Sequence, residues 1–195
     1  MSRPEQSLPP GYFERLYAEA EDPWSFATSP YEQAKYAATL AALPREHYAS
    51  GLEIGCSIGV LTHMLAPRCG ALLAVDVAEA PLARARARNA LWPNVTFARL
   101  VVPDERPEGA FDLVVLSEVV YYWNRADILR VADVIEACLL PGGSVILVHW
   151  IKPTDYPLSG DEAVEAFLEA TGGFLSPIRQ AREESYRLDL LIRTG

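Results

Sequence analysis

Glu53, Gly55, Gly59 and Asp76 carry the clearest chemical pattern in this chain. They lie in LEIGCSIGVL (residues 52–61) and LLAVD (72–76). An apolar strand that runs into a loop of glycines and small residues brings backbone close to a ligand, because glycine has no side chain in the way. In an open α/β sheet the first such turn faces the ligand site. A dinucleotide fingerprint needs G-x-G-x-x-G. Read from Gly55, its second and third glycine positions hold Ser57 and Val60, so it fails twice. A phosphate-cradling P-loop fails too, because no Lys-Ser/Thr pair follows. What remains, E-x-G-x-x-x-G, suits a ligand without a pyrophosphate. Asp76 ends the next strand, 21 residues beyond Gly55. An acid there accepts hydrogen bonds from both hydroxyls of a ribose. The competing reading of Asp76 is an acid favoured at a helix N-terminus; its spacing prefers the ribose. A ribose without phosphates and with an amino-acid tail describes S-adenosylmethionine.

The elements that must position these residues alternate regularly. Strands are predicted at 51–55, 71–76, 95–101, 111–116 and 143–149. Helices are predicted at 59–66, 79–90, 125–138 and 160–171. This alternation implies a Rossmann-like, doubly wound α/β sheet with helices on both faces. Two last strands, 174–182 and 185–193, complete seven and form an antiparallel hairpin at one edge. Before the first strand, 1–10 reads as a loose tail and 11–21 as a helix. Ser29 caps a further helix, with Pro30 at its first position and Glu32 three after the cap. Residues 1–45 are thus expected to form a tail and helical lid, and 46–195 a single ligand-binding domain.

Composition narrows the partners. The chain has 195 residues and a formal charge of −9. An acidic surface repels phosphate backbones, so no nucleic-acid partner is expected. The arginines of LARARARN (82–89) fan around a helix as a solvated face. Three scattered cysteines suggest neither a metal site nor a disulfide framework, and fit a reducing compartment. No apolar run reaches membrane-spanning length and no signal peptide is visible. The expectation is a cytoplasmic protein, monomeric or homodimeric, with a small-molecule partner and neither metal nor membrane.

LEIGCSIGVLT, AVD, FDLVVLSEVVYY and LLPGGSVILVHW, in that order, resemble the motifs of class I S-adenosylmethionine-dependent methyltransferases. The resemblance covers residues 50–150 closely. DPWSFATSPYEQAKY (22–36) and SEVVYY further resemble the nodulation protein S group, small N-methyltransferases that act on amino-sugar oligosaccharides. This implies S-adenosylmethionine as cofactor and S-adenosylhomocysteine as product. It implies that Glu53, Gly55, Cys56 and Gly59 face the methionine part, that Asp76 binds the ribose, and that Val77 packs on the adenine. Ser117 and Glu118 fall beside the sulfonium. One departure stands out: many relatives carry an acid after the third strand that binds the adenine amino group. Here that region is RLVVPD, so Leu100 and Val101 are expected to hold adenine by packing and backbone, with Asp104 too late in the loop to substitute.

Each candidate has a plainer role to set against the chemical one. Glu53 organises the loop by accepting backbone N–H groups rather than touching the ligand. Cys56 is a small loop residue, since no activating partner is visible for its thiol. Tyr121, Tyr122 and Trp123 read as core or as cleft lining, with Tyr122 placed in the pocket. His149, at the end of the fifth strand, reads either as a satisfied structural residue or as a group at the cleft edge that titrates near neutrality and takes a proton. Trp24, Tyr31 and Lys35 pack on the sheet or form a lid whose aromatic rings shield a sulfonium. Asp155, Tyr156 and Asp161 are candidate contacts at the cleft rim. The expected reaction is methyl transfer to a small acceptor, most readily an amine, with Glu118 or His149 orienting it or accepting its proton. The alternatives are an O-methyltransferase and a binding module without catalysis.

Overall fold

The computed structural model describes residues 3–195. Its elements follow in the order α1 (Pro10–Glu19), α2 (Pro30–Ala42), β1 (Tyr48–Ile54), α3 (Val60–Leu65), β2 (Cys69–Asp76), α4 (Glu79–Arg88), β3 (Val95–Arg99), β4 (Phe111–Ser117), α5 (Arg125–Cys138), β5 (Leu139–Trp150), α6 (Gly160–Thr171), β6 (Leu175–Arg182) and β7 (Tyr186–Arg193). The helix starts have local causes. Ser29 accepts the Glu32 N–H, Asn124 accepts the Asp127 N–H, and Ser159 with Glu162 forms a reciprocal capping box.

The seven strands lie in the order β3-β2-β1-β4-β5-β7-β6. The five from β3 to β5 pair in parallel, and β7 runs antiparallel to both β5 and β6. The strand order reverses between β1 and β4, the switch point at which such sheets open a crevice.

Period-two alternation explains why both faces are covered. On β4, Val114 and Leu116 enter one core with Ile128, Val131 and Ile135 of α5 and Phe167 of α6. Leu113 and Val115 point the other way, into a core with Tyr36 of α2, Leu61 of α3, and Phe13 and Tyr17 of α1. The α1 and α2 segments are therefore built into the second core. Truncating a fully buried residue such as Leu116 to alanine costs about 2–5 kcal/mol.

Residues 5–10 are docked rather than loose. The Leu8 N–H donates to the Tyr122 carbonyl at 2.8 Å. The Asn124 N–H donates to the Ser7 hydroxyl at 2.9 Å, and that hydroxyl donates to Asp127. Backbone and hydroxyl groups do the docking, so the proline-rich composition does not announce it.

Candidate active site

Past Ile54 the chain must turn sharply to start α3. Gly55 and Gly59 adopt φ of +81° and +74°, the left-handed region that glycine tolerates, and Ser57 joins them at +51°. A Cβ on Gly59 would lie 2.7 Å from Asn89 Nδ2 and 2.8 Å from Ala85 Cβ, so α4 packs directly on this turn. The N–H groups of Gly55 and Cys56 both donate to the Val75 carbonyl, binding the loop to the end of β2.

Asp76 completes that junction. One carboxylate oxygen accepts the Ser57 N–H at 2.9 Å and the other the Ala78 N–H at 3.0 Å. Two fixed donors leave further lone pairs on the carboxylate for a ligand. Burial pushes its pKa up to about 6, against the pull of those N–H bonds. The side chain is therefore ionised at neutral pH and loses its charge under mild acid.

Glu53 lies deeper, 2 % exposed. Its partner is the Thr62 hydroxyl at 2.6 Å, where the sequence suggests loop backbone. Burial pushes its carboxyl up to about 8.

A cavity of about 320 Å³ opens between the carboxyl ends of β1, β2 and β4. Gly55, Ser57, Asp76 and Val77 line one side. Leu100, Val101, Val102 and Asp104 follow from the loop after β3. Ser117, Glu118, Val119, Tyr122 and Trp123 come from the end of β4. Phe13, Tyr17, Trp24, Phe26 and residues 6–10 cover it. A side pocket of about 30 Å³ continues past Glu118 to Glu53, Cys56 and Tyr36. Among the described residues Arg130 is the only cation along the main cavity, and it is bound to Asp104 and Asp127. The walls are aromatic and acidic, which suits a cationic ligand and opposes a phosphorylated one.

Glu118 sits where the main cavity meets the side pocket, at φ +56°. One oxygen pairs with the Lys35 ammonium. The other accepts the Tyr121 hydroxyl at 2.6 Å and the Trp150 N–H at 2.9 Å. Burial acts to raise its pKa, but the Lys35 ammonium and the hydrogen bonds from Lys35 and Tyr121 outweigh it and hold the carboxyl below its usual range.

The family model of nodulation protein S (NodS) matches residues 13–147. The chain belongs to the NodS family. Nodulation protein S of Bradyrhizobium diazoefficiens is 39% identical over 103 residues, which are 52% of this chain and 49% of that protein. The protein of the same name from Rhizobium tropici is 33% identical over 129 residues, covering 65% and 54%. The chain spans about half the length of the curated relatives it matches. Among solved structures, NodS of Bradyrhizobium japonicum WM9 in complex with S-adenosylhomocysteine superposes with a TM-score of 0.81 at 24% identity, over 95% of this chain and 98% of that one. That likeness shows a shared fold, the Rossmann-like mixed sheet.

In this NodS-family chain most of the residues picked out from sequence meet at one place. Gly55, Asp76, Val77, Leu100, Val101, Ser117, Glu118, Tyr122 and Trp24 line the cavity, and Glu53 and Cys56 line the side pocket. Gly59 shapes the turn without facing either. Cys56 is buried and its thiol is pushed well up by that burial, as befits an unreactive loop residue.

His149 does not open onto the cleft. It is 0 % exposed, and its Nε2 accepts the Val120 N–H at 3.0 Å. Burial lowers its pKa to about 4, so it stays neutral with its basic nitrogen occupied. Tyr31 and Lys35 also lie off the cavity. Tyr31 packs edge-on against Trp150 and Tyr186, and Lys35 reaches the site only through Glu118. Asp104 does reach the cavity, contrary to its late position in the loop. Asp161 is held by Arg182 and Arg187 instead of facing the rim, while Tyr156 stacks on Tyr121 at 5.0 Å.

Sequence reasoning missed Phe13, Tyr17 and Phe26 as cover residues. Phe13 and Tyr17 are four apart, on one face of α1, and that spacing was the available signal. The Tyr17 hydroxyl meets the Ser57 hydroxyl at 2.5 Å, fastening α1 to the glycine turn.

Proposed function

We propose that this chain binds S-adenosylmethionine and transfers its methyl group to a small acceptor that carries an amine. The observation that carries the reading is Asp76. A buried carboxylate at the tip of β2, oriented by two backbone N–H groups, faces a cavity whose walls disfavour phosphate. The residues fit the cofactor from end to end. Asp76 would hold the ribose hydroxyls. Val77, Leu100 and Val101 offer apolar surface to adenine. The Gly55 turn and Ser117 would face the amino-acid end. In this reading residues 1–45 serve as the helical cover and 46–195 as the methyltransferase domain.

Bound S-adenosylmethionine supplies a methyl group already activated by its sulfonium. The protein's task is then placement and exclusion of water. The cover formed by Phe13, Tyr17, Trp24 and Phe26 supports the second of these. The state of the candidate bases supports an amine rather than an oxygen acceptor. Glu118 already accepts three hydrogen bonds and is held below its usual pKa range, which makes it a weak base, and the Val120 N–H occupies the lone pair of His149. A hydroxyl acceptor needs a base in the transition state; an amine sheds its proton to water near neutrality. Glu118 then serves as a fixed anion beside the nitrogen that becomes positive. A ubiquinone biosynthesis O-methyltransferase of Pseudomonas aeruginosa, 32% identical over 102 residues, keeps an oxygen acceptor as the second reading.

The test is calorimetric titration with S-adenosylhomocysteine, followed by mass-spectrometric detection of methylated product from amino sugars, their oligomers and matched hydroxyl compounds. Binding and methylation of amines alone is the expected result. A folded protein that does not bind the nucleoside refutes the proposal, and methylation of hydroxyl compounds alone establishes the second reading.

A further inference from the structure

We propose that Lys35 is a positioning residue for this site: it holds the Glu118 carboxylate in place without touching the cavity, while Glu32 shares its charge so that Glu118 retains a net negative field. The inference rests on the methyl transfer to an amine proposed above and adds a charge-setting device on α2.

The Lys35 side chain is 1 % exposed and lines neither pocket. A buried ammonium needs compensation. Lys35 has two carboxylates, Glu32 at 2.9 Å one turn earlier on α2, and Glu118 across the fold. Its Nζ also stands 5.2 Å from the centre of the Tyr31 ring. The groups that face Glu118 come from three elements. Tyr31, Glu32, Lys35 and Tyr36 come from α2, Tyr121 and Tyr122 from the turn after β4, and His149 from β5. His149 is neutral there. Burial raises the Glu32 pKa while Lys35 pulls it down; with both carboxylates ionised, two against one ammonium leave one negative charge. A simple ion pair would have cancelled it.

That remainder suits the reaction. As the amine lone pair forms the new N–C bond, the C–S bond breaks. Sulfur departs as a neutral thioether and nitrogen becomes an ammonium, whose proton later passes to water. Positive charge thus appears on the nitrogen beside Glu118, where a preorganised anion in a poorly solvated site acts strongly. Lys35 keeps that anion ionised and aimed. Glu32 prevents it from being neutralised outright.

The test compares two ligands by titration calorimetry. One is S-adenosylhomocysteine, uncharged at sulfur. The other is an analogue with an ammonium where the transferred methyl would sit. The parent protein is expected to bind the ammonium analogue about tenfold more tightly. Lys35→Met, checked for folding by circular dichroism, loses most of this preference at slightly acidic pH and regains it in base, because Glu118 then takes up a proton more readily. Lys35→Arg keeps the preference. Glu32→Gln narrows it while leaving S-adenosylhomocysteine affinity intact, and carries the test if Lys35→Met does not fold. An unchanged preference in Lys35→Met at every pH overturns the proposal. So does equal weakening of both ligands in Lys35→Met and Lys35→Arg, or an unchanged preference in Glu32→Gln. A parent that binds neither ligand refutes the cofactor reading itself, a separate result.

Discussion

Glu53→Gln should make this protein more stable, and the gain should depend on pH. The Glu53 carboxyl has an ordinary value of 4.5 and burial pushes it to about 8 in the folded chain. A carboxyl that holds its proton more tightly when folded stabilises the native state fully below pH 4.5. That contribution is lost progressively as pH rises toward 8, because the unfolded chain releases the proton and the folded chain must keep it. At pH 7 the difference amounts to about 3 kcal/mol at about 1.4 kcal/mol per tenfold in proton affinity. Glutamine never pays this penalty, and its carbonyl still accepts the Thr62 hydroxyl that now bonds Glu53. For a domain of this size the gain corresponds to roughly 10 °C in melting temperature. The assay is thermal unfolding of both proteins from pH 4 to pH 8.5. Asp76 titrates in both, so the gap between them reports Glu53. The gap should be near zero at the acid end and widen steadily. A constant gap, or a less stable variant at pH 8, refutes the burial argument.

Further outcomes follow from the same geometry. Asp76→Ala removes a buried acceptor for two ribose hydroxyls and should weaken S-adenosylhomocysteine binding about 100-fold by calorimetry, at about 1.5 kcal/mol per charged hydrogen bond. In the parent, because Asp76 is pushed up to about 6, nucleoside affinity should fall about tenfold per pH unit once the pH drops below that value. Gly59→Ala places a Cβ against Asn89 and Ala85 at positive φ and should cost about 2–4 kcal/mol in denaturant unfolding. Ser29→Ala removes the cap of α2 and should cost about 1 kcal/mol, read the same way.

Asp76 and the Gly55 turn were legible because their chemistry is local. A strand end, a small-residue turn and an acid at the next strand end are consecutive features, and the sheet brings them together automatically. The strands of the sheet were legible for the same reason, since Leu113 to Leu116 alternate between two apolar faces. His149 was not. Its position at a strand end suggests a cleft, but β7 returns from almost forty residues later to pair His149 with Arg187, and Tyr121 packs on its ring at 5.3 Å. Both closures are long-range. Lys35 shows the same limit: helical spacing links it to Glu32, but nothing in the order of residues places Glu118 at its tip. Residues 5–10 dock through the Leu8 N–H and the Ser7 hydroxyl, groups whose distant partners the local sequence does not mark.

The order of synthesis has a consequence for the cover. Residues 7–26 leave the ribosome before any of the surface they rest on. Leu8 waits for Tyr122, Ser7 for Asp127, and Tyr17 for Ser57. Until β1 and β4 have paired, Phe13, Tyr17, Trp24 and Phe26 have no cavity to close. Folding in the order of synthesis therefore cannot complete the cover first. The cover finds its place only after the strands it rests on, and nascent chains halted before Phe111 should expose these four rings to chaperones.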